Sequence, residues 1–253
     1  ATLNKIPTLI QEQNSYAGLT NKWLSKSVST ICVAYEGMDK FFPKDKIVLT
    51  GNPVRKDIFQ DSTQSKEAYA FFKLNPNKKI LLVIGGSLGA KTVNQSILSG
   101  LEQLWASDIQ LIWQTGVFYH TQIMSEIKTP WDERLRMYDF IKEMQYAYTI
   151  ADVVVTRAGA LSISELMLSA KPSILIPSPN VAEDHQKLNA QKLISGRAAL
   201  MVPDALADTM LVKTALSLLS DEEQQKELGK NIFSMGRPNA ARDIAEKVIE
   251  LAA

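Results

Sequence analysis

Three short segments of this sequence combine glycines with polar side chains in patterns that could bind a phosphorylated ligand. The first, residues 79–92, reads KILLVIGGSLGAKT, an apolar run that ends in a glycine-rich turn and then in a helical pattern. The second, residues 159–166, reads GALSISEL, and the third, residues 183–190, reads EDHQKLNA. Their order and spacing predict a site for a nucleotide-linked sugar.

The glycine-rich turn at residues 85–89, GGSLG, has the composition of a phosphate-binding loop. Glycine adopts backbone angles that are closed to other residues, and it lets the main chain approach a ligand closely. The helix expected to begin near Ala90 would present unpaired N–H groups and the positive end of its dipole to an anion. Ser87 could add a hydroxyl donor. Because tight glycine turns after strands are common, the loop alone does not separate a phosphate site from a structural turn.

Two other kinds of phosphate site have related sequences. A dinucleotide site requires G-x-G-x-x-G and an acidic residue about 20 positions later. Here the glycines run G-G-x-x-G, and the second strand ends in Trp113, Gln114 and Thr115. A P-loop requires G-x-x-x-x-G-K-[ST], but Ala90 replaces its second glycine and Asp152 stands at the start of its strand, away from any magnesium ion. A nicotinamide cofactor and an NTPase are therefore both disfavoured.

The second segment leads from an apolar strand into a helix that carries Glu165. This carboxylate has two interpretations. It could stabilise the helix dipole from the first turn, or it could accept two hydrogen bonds from a ribose diol in the crevice at the carboxyl ends of the strands. Arg157 could likewise pair with a phosphate or with a neighbouring carboxylate. The residues alone leave both alternatives open.

The third segment belongs to a polar loop and helix start at residues 178–190, SPNVAEDHQKLNA. The helix is expected to open at residues 183–186, which include His185 and Gln186. Side chains that donate and accept hydrogen bonds in fixed geometry suit the hydroxyls of a sugar. A solvated helix start would have a similar composition, but the position at a third strand end favours sugar binding.

The elements that would position these loops alternate between strands and helices. We predict a helix at residues 19–27 and strands at residues 6–10, 30–35, 47–50, 79–84, 109–114, 135–140, 152–156, 172–177 and 199–202. Such alternation is typical of a parallel sheet with helices on both faces. ILLVIG, DVVVT and SILIP are continuously apolar, which indicates strands covered on both sides. Residues 79–202 therefore form a complete Rossmann-like domain.

The two ends of the chain differ from this pattern. Residues 1–49 supply too few strands for a second domain of this kind, so we expect the chain to begin within a domain. The best linker candidates are residues 60–67 and 235–238. A final helix at residues 239–251 places Ala240, Ile244, Val248 and Leu251 on one face.

Composition narrows the class of protein. The chain has 253 residues, 45% hydrophobic content and a net charge of +1, which argues against a nucleic-acid partner, because such proteins are strongly basic. No apolar run approaches the ~18 residues of a membrane span, and no secretory signal opens the chain. Its single cysteine, Cys32, lies in an apolar run and is expected to be a small buried hydrophobe. These features favour a cytoplasmic protein.

Several metal and nucleophile motifs are missing from the sequence. It contains no D-x-D pair, no H-x-x-x-H or C-x-x-C spacing and no G-x-S-x-G turn. A metal-independent transferase stays compatible with this pattern, with helix starts and a cation balancing the charge of a diphosphate.

Five segments together resemble the MurG family of peptidoglycan glycosyltransferases. They are EQNSYAGLTNKWLSK, GNPVRKDIF, GGSLGA, DFIKEMQYAYTIADVVVTRAGALSISEL and EDHQKLNA, and the similarity covers almost the whole chain. The resemblance implies a two-domain GT-B fold and inverting, metal-independent transfer of N-acetylglucosamine from UDP-N-acetylglucosamine to undecaprenyl-pyrophosphoryl-N-acetylmuramyl pentapeptide, which converts lipid I to lipid II. It implies no cofactor and a peripheral location on the cytoplasmic face of the bacterial inner membrane, with roles in cell wall biogenesis, cell shape and cell division.

The resemblance also assigns roles to single residues. The implied donor-binding residues are Arg55, Gly86, Ser87, Ile141, Arg157, Glu165, His185 and Gln186. Gly86 and Ser87 would hold the diphosphate, with Arg55 on the interdomain side of the same site. The backbone of Ile141 would meet the uracil and Glu165 would hold the ribose.

The resemblance further implies that His185 and Gln186 form hydrogen bonds with the hydroxyls of N-acetylglucosamine. Asn14 matches the acceptor-side E-Q-N motif, although Gln11 stands where many relatives carry histidine. Trp23 and Lys26 lie on a predicted helix that, in proteins of this family, is near the membrane-facing surface. Both are also ordinary residues of an amphipathic helix.

The resemblance divides the chain into three parts. Residues 1–55 correspond to the C-terminal part of an acceptor domain, residues 56–236 to the UDP-sugar donor domain, and residues 237–253 to a helix that returns to the acceptor domain. The family's N-terminal glycine-rich loop, whose histidine is implicated in base catalysis, has no counterpart here. We therefore expect the catalytic residues to lie outside this sequence and the chain alone to bind the donor without turnover.

Two other classes of protein stay open at this point. Another UDP-sugar enzyme of the same architecture, such as an epimerase or a glycolipid synthase, would share the glycine loop and the ribose carboxylate. A non-catalytic module would bind the nucleotide and never turn over.

Overall fold

A computed structural model describes residues 1–59, 64–127 and 133–252 of the chain. Its strands are β1 Leu9–Glu12, β2 Thr30–Val33, β3 Ile47–Leu49, β4 Ile80–Ile84, β5 Gln110–Gln114, β6 Leu135–Tyr138, β7 Val153–Thr156, β8 Ser173–Leu175 and β9 Leu200–Met201. Its α-helices are α1 Leu19–Leu24, α2 Ser65–Phe72, α3 Lys91–Ser99, α4 Leu101–Ala106, α5 His120–Glu126, α6 Met144–Ile150, α7 Ala160–Ser169, α8 His185–Ser195, α9 Ala207–Ser220, α10 Glu222–Ser234 and α11 Ala240–Ala252.

The strands form two parallel sheets. The small sheet has the order β1-β2-β3, and the large one has the order β6-β5-β4-β7-β8-β9. In order of appearance the large sheet runs 3-2-1-4-5-6, the doubly wound arrangement that binds nucleotides where the strand order reverses. That reversal lies between β4 and β7, so the carboxyl ends of these two strands open the crevice.

Both faces of the large sheet are covered, as the continuous apolar runs predict. Ile80, Leu82 and Ile84 of β4 point into a core shared with α2, α6, α7 and α8. Leu81 and Val83 point to the opposite face, into a core shared with α3 and α9. Side chains alternate across a strand, so a strand with helices on both sides is apolar at every position.

The first strand begins later than the sequence pattern predicts. We predict a strand at residues 6–10, but β1 spans Leu9–Glu12 and Ile6 is 55% exposed. Pro7 explains the shift because proline has no N–H to donate to the ladder. β1 forms one edge of the small sheet.

The first helix is shorter than predicted. It ends at Leu24, whereas the pattern extends to residue 27. The hydroxyl of Ser25 donates to the carbonyl of Lys22 at 2.8 Å, and the hydroxyl of Ser27 donates to the carbonyl of Leu24 at 3.1 Å. Serine competes with helical hydrogen bonding in this way and ends helices.

One of the two predicted linkers is a turn, and the other is helical in most of its described part. Residues 235–238 form the turn between α10 and α11. Of residues 60–67, positions 60–63 lie outside the described part of the chain, and from Ser65 onward the segment is helix α2. Among the described residues, no helix combines the length and the apolar character needed to cross a membrane.

Candidate nucleotide-sugar site

The fold brings the three predicted segments to one edge of the large sheet. The glycine loop follows β4, the segment with Arg157 and Glu165 follows β7, and the polar loop before α8 follows β8. These three strands are neighbours and run parallel, so their carboxyl ends meet. The ends of β5 and β6 lie on the other side of β4 and bring Gln114 and Ile141 to the same edge.

The glycine loop packs directly against the loop that follows β5. Gly89 has a φ of 93°, and a Cβ placed on it would lie 2.3 Å from the carbonyl oxygen of Thr115. Gly116 has a φ of 83°, and a Cβ placed there would lie 2.1 Å from the backbone nitrogen of Gly89. The two backbones therefore touch directly, which only glycine allows. Ser87 is exposed at the tip of the loop, and no side chain caps the start of α3.

Gln114 joins this loop to the end of β6. Its side-chain nitrogen donates to the carbonyl of Gly86 at 3.2 Å, and its side-chain oxygen accepts from the backbone N–H of Ile141 at 2.8 Å. Gln114 is not among the residues that the sequence singles out for binding. The signal was present, because a polar residue stands at the carboxyl end of β5, directly after three apolar residues. Since the N–H of Ile141 is occupied, its carbonyl is the backbone group left for a ligand.

Glu165 lies in the second turn of α7, and the first turn of that helix holds no acidic residue. The interpretation of Glu165 as a first-turn dipole stabiliser is therefore wrong. The hydroxyl of Tyr148, on α6, donates to Glu165 Oε2 at 3.0 Å. Burial raises the pKa of the Glu165 carboxyl, and the Tyr148 hydrogen bond and the charge of Arg55 oppose that rise in the pKa. Burial also holds the pKa of Tyr148 well above its ordinary value, so the phenol is a permanent donor.

Arg55 lies close enough to Glu165 for its charge to oppose the effect of burial, which raises the pKa of that carboxyl. It precedes a short 3-10 helix, Lys56–Ile58, and its side chain is 52% exposed. Its guanidinium lies 3.8 Å from the carboxylate of Asp57, a weak contact between exposed groups that leaves the cation open to an anionic ligand.

Arg157 pairs with a carboxylate in the structure. Its guanidinium forms an ion pair with Asp204 and donates to the carbonyl of Ile176 at 3.1 Å. The second oxygen of Asp204 accepts from the hydroxyl of Thr92 on α3 at 3.1 Å. Arg157 thus braces the helix behind the glycine loop, and its contact with a donor phosphate stays a prediction.

The helix with His185 and Gln186 begins two residues later than predicted. Glu183 and Asp184 have φ values of 56° and 51°, and α8 starts at His185. The side-chain oxygen of Gln186 accepts from the backbone N–H of Ser178 at 2.9 Å. Gln186 therefore shapes the loop after β8, and its amide nitrogen is the group it can offer to a sugar hydroxyl.

Asn14 connects the small sheet to the large one. Its side-chain oxygen accepts from the side-chain nitrogen of Asn189 at 3.0 Å, and the oxygen of Asn189 accepts from the backbone N–H of Ser15 at 2.8 Å. Asn189 is fully buried on α8. The sequence gives no reason to single it out, because its partners lie 174 and 175 positions away.

A second buried amide makes a parallel connection. Asn52 donates to the hydroxyl of Ser164 at 3.1 Å, and its oxygen accepts from the side chain of Gln11 at 2.7 Å. Ser164 precedes Glu165 on α7. The contacts of Asn52 and Asn189 thus fix the E-Q-N segment beside the helices that carry the predicted donor residues.

The described ranges contain no group of three or more His, Cys, Asp or Glu residues that could hold a metal ion. Asp152 precedes β7, accepts from the backbone N–H of Ile80 at 2.7 Å and lies 3.5 Å from Lys79. Asp152 therefore lies at the amino end of β7, opposite the crevice, where it could not bind the magnesium ion of a P-loop.

Comparison with known proteins decides the family. Residues 80–248 match the glycosyltransferase family 28 C-terminal domain. The UDP-N-acetylglucosamine--N-acetylmuramyl-(pentapeptide) pyrophosphoryl-undecaprenol N-acetylglucosamine transferase of Parabacteroides distasonis is 51% identical over 246 residues, which are 97% of this chain and 67% of that protein. The same enzyme of Cytophaga hutchinsonii is 53% identical over 251 residues, 99% of this chain and 67% of that protein. The chain belongs to this transferase family.

Solved structures agree with this membership. The crystal structure of MurG from Acinetobacter baumannii matches with a TM-score of 0.76 and 25% identity, covering 98% of this chain and 68% of that one. MnaA from S. aureus, solved with UDP, matches in fold with a TM-score of 0.70 at 12% identity, covering 97% of this chain and 69% of that one. The predicted resemblance, the α/β GT-B fold class and the glycosyltransferase activity of the family are confirmed. The chain spans about two thirds of the length of these relatives.

Proposed function

We propose that this chain binds UDP-N-acetylglucosamine in the crevice between β4 and β7 and serves the transfer of N-acetylglucosamine to undecaprenyl-pyrophosphoryl-N-acetylmuramyl pentapeptide. The transfer inverts the sugar carbon and uses no metal. The observation that carries the proposal is the half-buried carboxylate of Glu165, which accepts from the hydroxyl of Tyr148 and lies on the helix that follows β7, one of the two strands at the switch point of the sheet. A carboxylate in that position suits the paired hydroxyls of a ribose.

The remaining donor contacts follow from the loops around Glu165. The backbone at Gly86 and Ser87, together with the start of α3, faces the diphosphate, and Arg55 supplies a cation. The backbone at Ile141 meets the uracil. His185 and Gln186 lie on the sugar side, where fixed donors and acceptors suit hydroxyls. Arg157 is the predicted partner of a donor phosphate.

We also propose the division of the chain into residues 1–55, 56–236 and 237–253 as acceptor-domain segment, donor domain and returning helix. Two contacts support the path of the last part. A Cβ placed on Gly51 would lie 3.5 Å from the Cβ of Ala240, at the start of α11. Just before this helix, Arg237 lies 3.9 Å from Glu36.

Donor binding is tested by calorimetry with UDP and UDP-N-acetylglucosamine in the presence of a chelator. We expect both to bind and ADP to bind much more weakly, because the backbone contacts at Ile141 read the base. Loss of UDP binding on chelation would overturn the metal-independent site. Equal affinity for ADP would overturn the uracil assignment.

Transfer is tested with labelled UDP-N-acetylglucosamine and a lipid I analogue, with the full-length Parabacteroides distasonis enzyme as positive control. Donor and acceptor held in line between two domains can account for ~7–11 kcal/mol of barrier lowering. The full-length enzyme should form a labelled disaccharide-lipid product with inverted configuration. The chain alone should bind the donor without turnover, because the family's glycine-rich loop with its histidine has no counterpart in this sequence. Release of free N-acetylglucosamine or its epimer in place of that product would point to a different UDP-sugar enzyme.

We propose in addition that α1 contacts the cytoplasmic surface of the inner membrane. Leu19 and Trp23 are 72% and 77% exposed on this helix, which also carries Lys22. Lys26, predicted to lie on the helix, follows its end at Leu24. Exposed apolar side chains next to cations favour an anionic lipid surface. Trp23→Ser should weaken cosedimentation with anionic vesicles, and Phe233→Ser, an exposed aromatic on α10, should not. Equal loss in both variants would reject a specific role for α1.

A further inference from the structure

We propose that Gln114 is a positioning residue that links the diphosphate end of the donor site to its uracil end. This inference rests on the proposed donor function. Gln114 is the last residue of β5 and is 2% exposed. Its side chain contacts the carbonyl of Gly86 on one side and the N–H of Ile141 on the other.

The position of Gln114 in the sheet explains why a side chain is needed there. It pairs with Ile84 at the end of the β4–β5 ladder and with Tyr138 at the end of the β5–β6 ladder. Beyond these pairs the regular ladders end, and the loops that follow β4 and β6 lie on opposite sides of β5. The carboxamide, with one acceptor and one donor group in a fixed plane, spans the gap between the two outer loops.

These two hydrogen bonds help to set the direction of two peptide groups. The carbonyl of Gly86 also accepts from the backbone N–H of Gly89 at 3.2 Å. A trans peptide is planar, and its C=O and N–H point in opposite directions. With the carbonyl of Gly86 directed at Gln114, the N–H of Ser87 is directed away from it. With the N–H of Ile141 directed at Gln114, the carbonyl of Phe140 is directed away. The buried amide of Gln114 therefore orients the N–H of Ser87, a donor suited to a phosphate, and anchors Ile141, whose carbonyl is the acceptor suited to a base.

Two substitutions of Gln114 distinguish its contact at the diphosphate end of the site from its contact at the uracil end. Gln114→Glu keeps an acceptor for the N–H of Ile141 but replaces the donor to Gly86 with a carboxylate. Its affinity for UDP should fall by about tenfold or more, a loss expected when one hydrogen bond is removed, while its affinity for uridine changes little. Gln114→Leu removes both contacts and should weaken uridine and UDP alike.

Gln110 provides a matched control at the other end of the same strand. It is also 2% exposed, and its amide bonds the backbone of Asn75 at 2.7 and 2.8 Å. Gln110→Leu should lower the unfolding temperature and leave both ligand affinities unchanged. If both Gln114 variants lower stability, while Gln114→Glu keeps the wild-type ratio of UDP to uridine affinity and Gln114→Leu keeps both wild-type affinities, Gln114 is a structural residue and the inference fails. If the wild-type chain binds no UDP, the proposed function fails first.

A measurement on the wild-type protein keeps the inference open to test if the variants do not fold. Hydrogen exchange of the Ile141 amide reports its bond to Gln114 directly. We expect this amide to be protected without ligand and to stay protected when UDP binds. Rapid exchange of the Ile141 amide in the free protein would overturn the proposed link.

Discussion

The hydroxyl oxygen of Tyr148 lies 3.0 Å from Oε2 of Glu165, a contact between α6 and α7. Tyr148 is 2% exposed, so its hydroxyl cannot turn to water. The phenol therefore holds one carboxylate oxygen in place before any ligand arrives. A carboxylate fixed in this way loses little side-chain freedom when it accepts hydrogen bonds from a diol.

Replacing Glu165 should weaken UDP binding with little effect on the fold. A hydrogen bond to a charged group contributes ~1.5–3 kcal/mol, so Glu165→Ala should reduce the affinity by roughly one to two orders of magnitude. Glu67→Ala removes a charge at an exposed position of α2 and should leave the affinity unchanged. Calorimetry measures both. Wild-type affinity in Glu165→Ala, together with lower thermal stability, would return Glu165 to a purely structural role.

The affinity for uridine should fall as the pH is lowered through the pKa of Glu165, which burial raises above 4.5. The ionised carboxylate is the better acceptor for a diol, so binding is lost at a higher pH than for an ordinary glutamate. Uridine is the ligand of choice because it has no phosphate that titrates in this range. Glu165→Gln should show a flat profile, and an equally steep profile in that variant would assign the titration to another group.

The raised pKa of Glu165 affects the stability of the fold in the opposite direction. As the pH is lowered, the affinity for uridine falls but the contribution of Glu165 to the free energy of unfolding rises. The folded protein holds the Glu165 proton more tightly than the unfolded chain does. The contribution of this group to the free energy of unfolding is therefore largest below pH 4.5 and declines as the pH rises through the folded-state pKa. Glu165→Gln should thus gain stability relative to wild type above that window, as denaturant titrations at two pH values would measure.

Tyr148→Phe should separate the hydroxyl from the ring. Loss of the donor should raise the pKa of Glu165 further, lower the unfolding free energy by about 1 kcal/mol and weaken UDP binding by up to about tenfold. Tyr35→Phe is a matched control, because the buried Tyr35 hydroxyl has no hydrogen-bond partner among the described residues. That variant should keep or gain stability. If the two variants behave alike, the Tyr148 hydroxyl does not support the carboxylate.

Gly116→Ala should damage the phosphate-facing loop. A positive φ costs an alanine about 1–2 kcal/mol, and its Cβ would in addition collide with the backbone nitrogen of Gly89. Gly37 has a φ of 79° and no atom within 4 Å of a Cβ placed on it, so Gly37→Ala isolates the conformational cost. Denaturant titrations should show a larger loss at Gly116, and only that variant should lose UDP affinity. Equal losses of stability would mean that the loop relaxes around the methyl group.

The sequence is most informative where local pattern and packing agree. The apolar run before the glycine loop predicts a strand buried on both faces, since every position meets a helix, and the loops that follow the strands are placed by the parallel order itself. The sequence indicates that Glu165 is a polar group in the segment after a strand. It does not reveal that Glu165 lies in the second turn of α7 and not in the first. The boundary of β1 depends on one proline.

Long-range contacts account for what the sequence did not predict. Gln114 acts between two loops that lie 28 positions before it and 27 after it. Asn189 holds a backbone N–H that is 174 positions away. Asn189 belongs to no local pattern, and the polar end of β5 does not reveal which loops Gln114 contacts, because both roles are defined by which elements become neighbours.

The direct backbone contact between Gly89 and Gly116 has a kinetic consequence. A loop that must close over its ligand slows association, because binding waits for a conformational change. Here the turn takes its shape when the domain folds, and the nucleotide meets a surface that is already formed. Association at this edge of the sheet should therefore approach the rate of diffusional encounter, and differences in affinity between nucleotides should arise in their residence times.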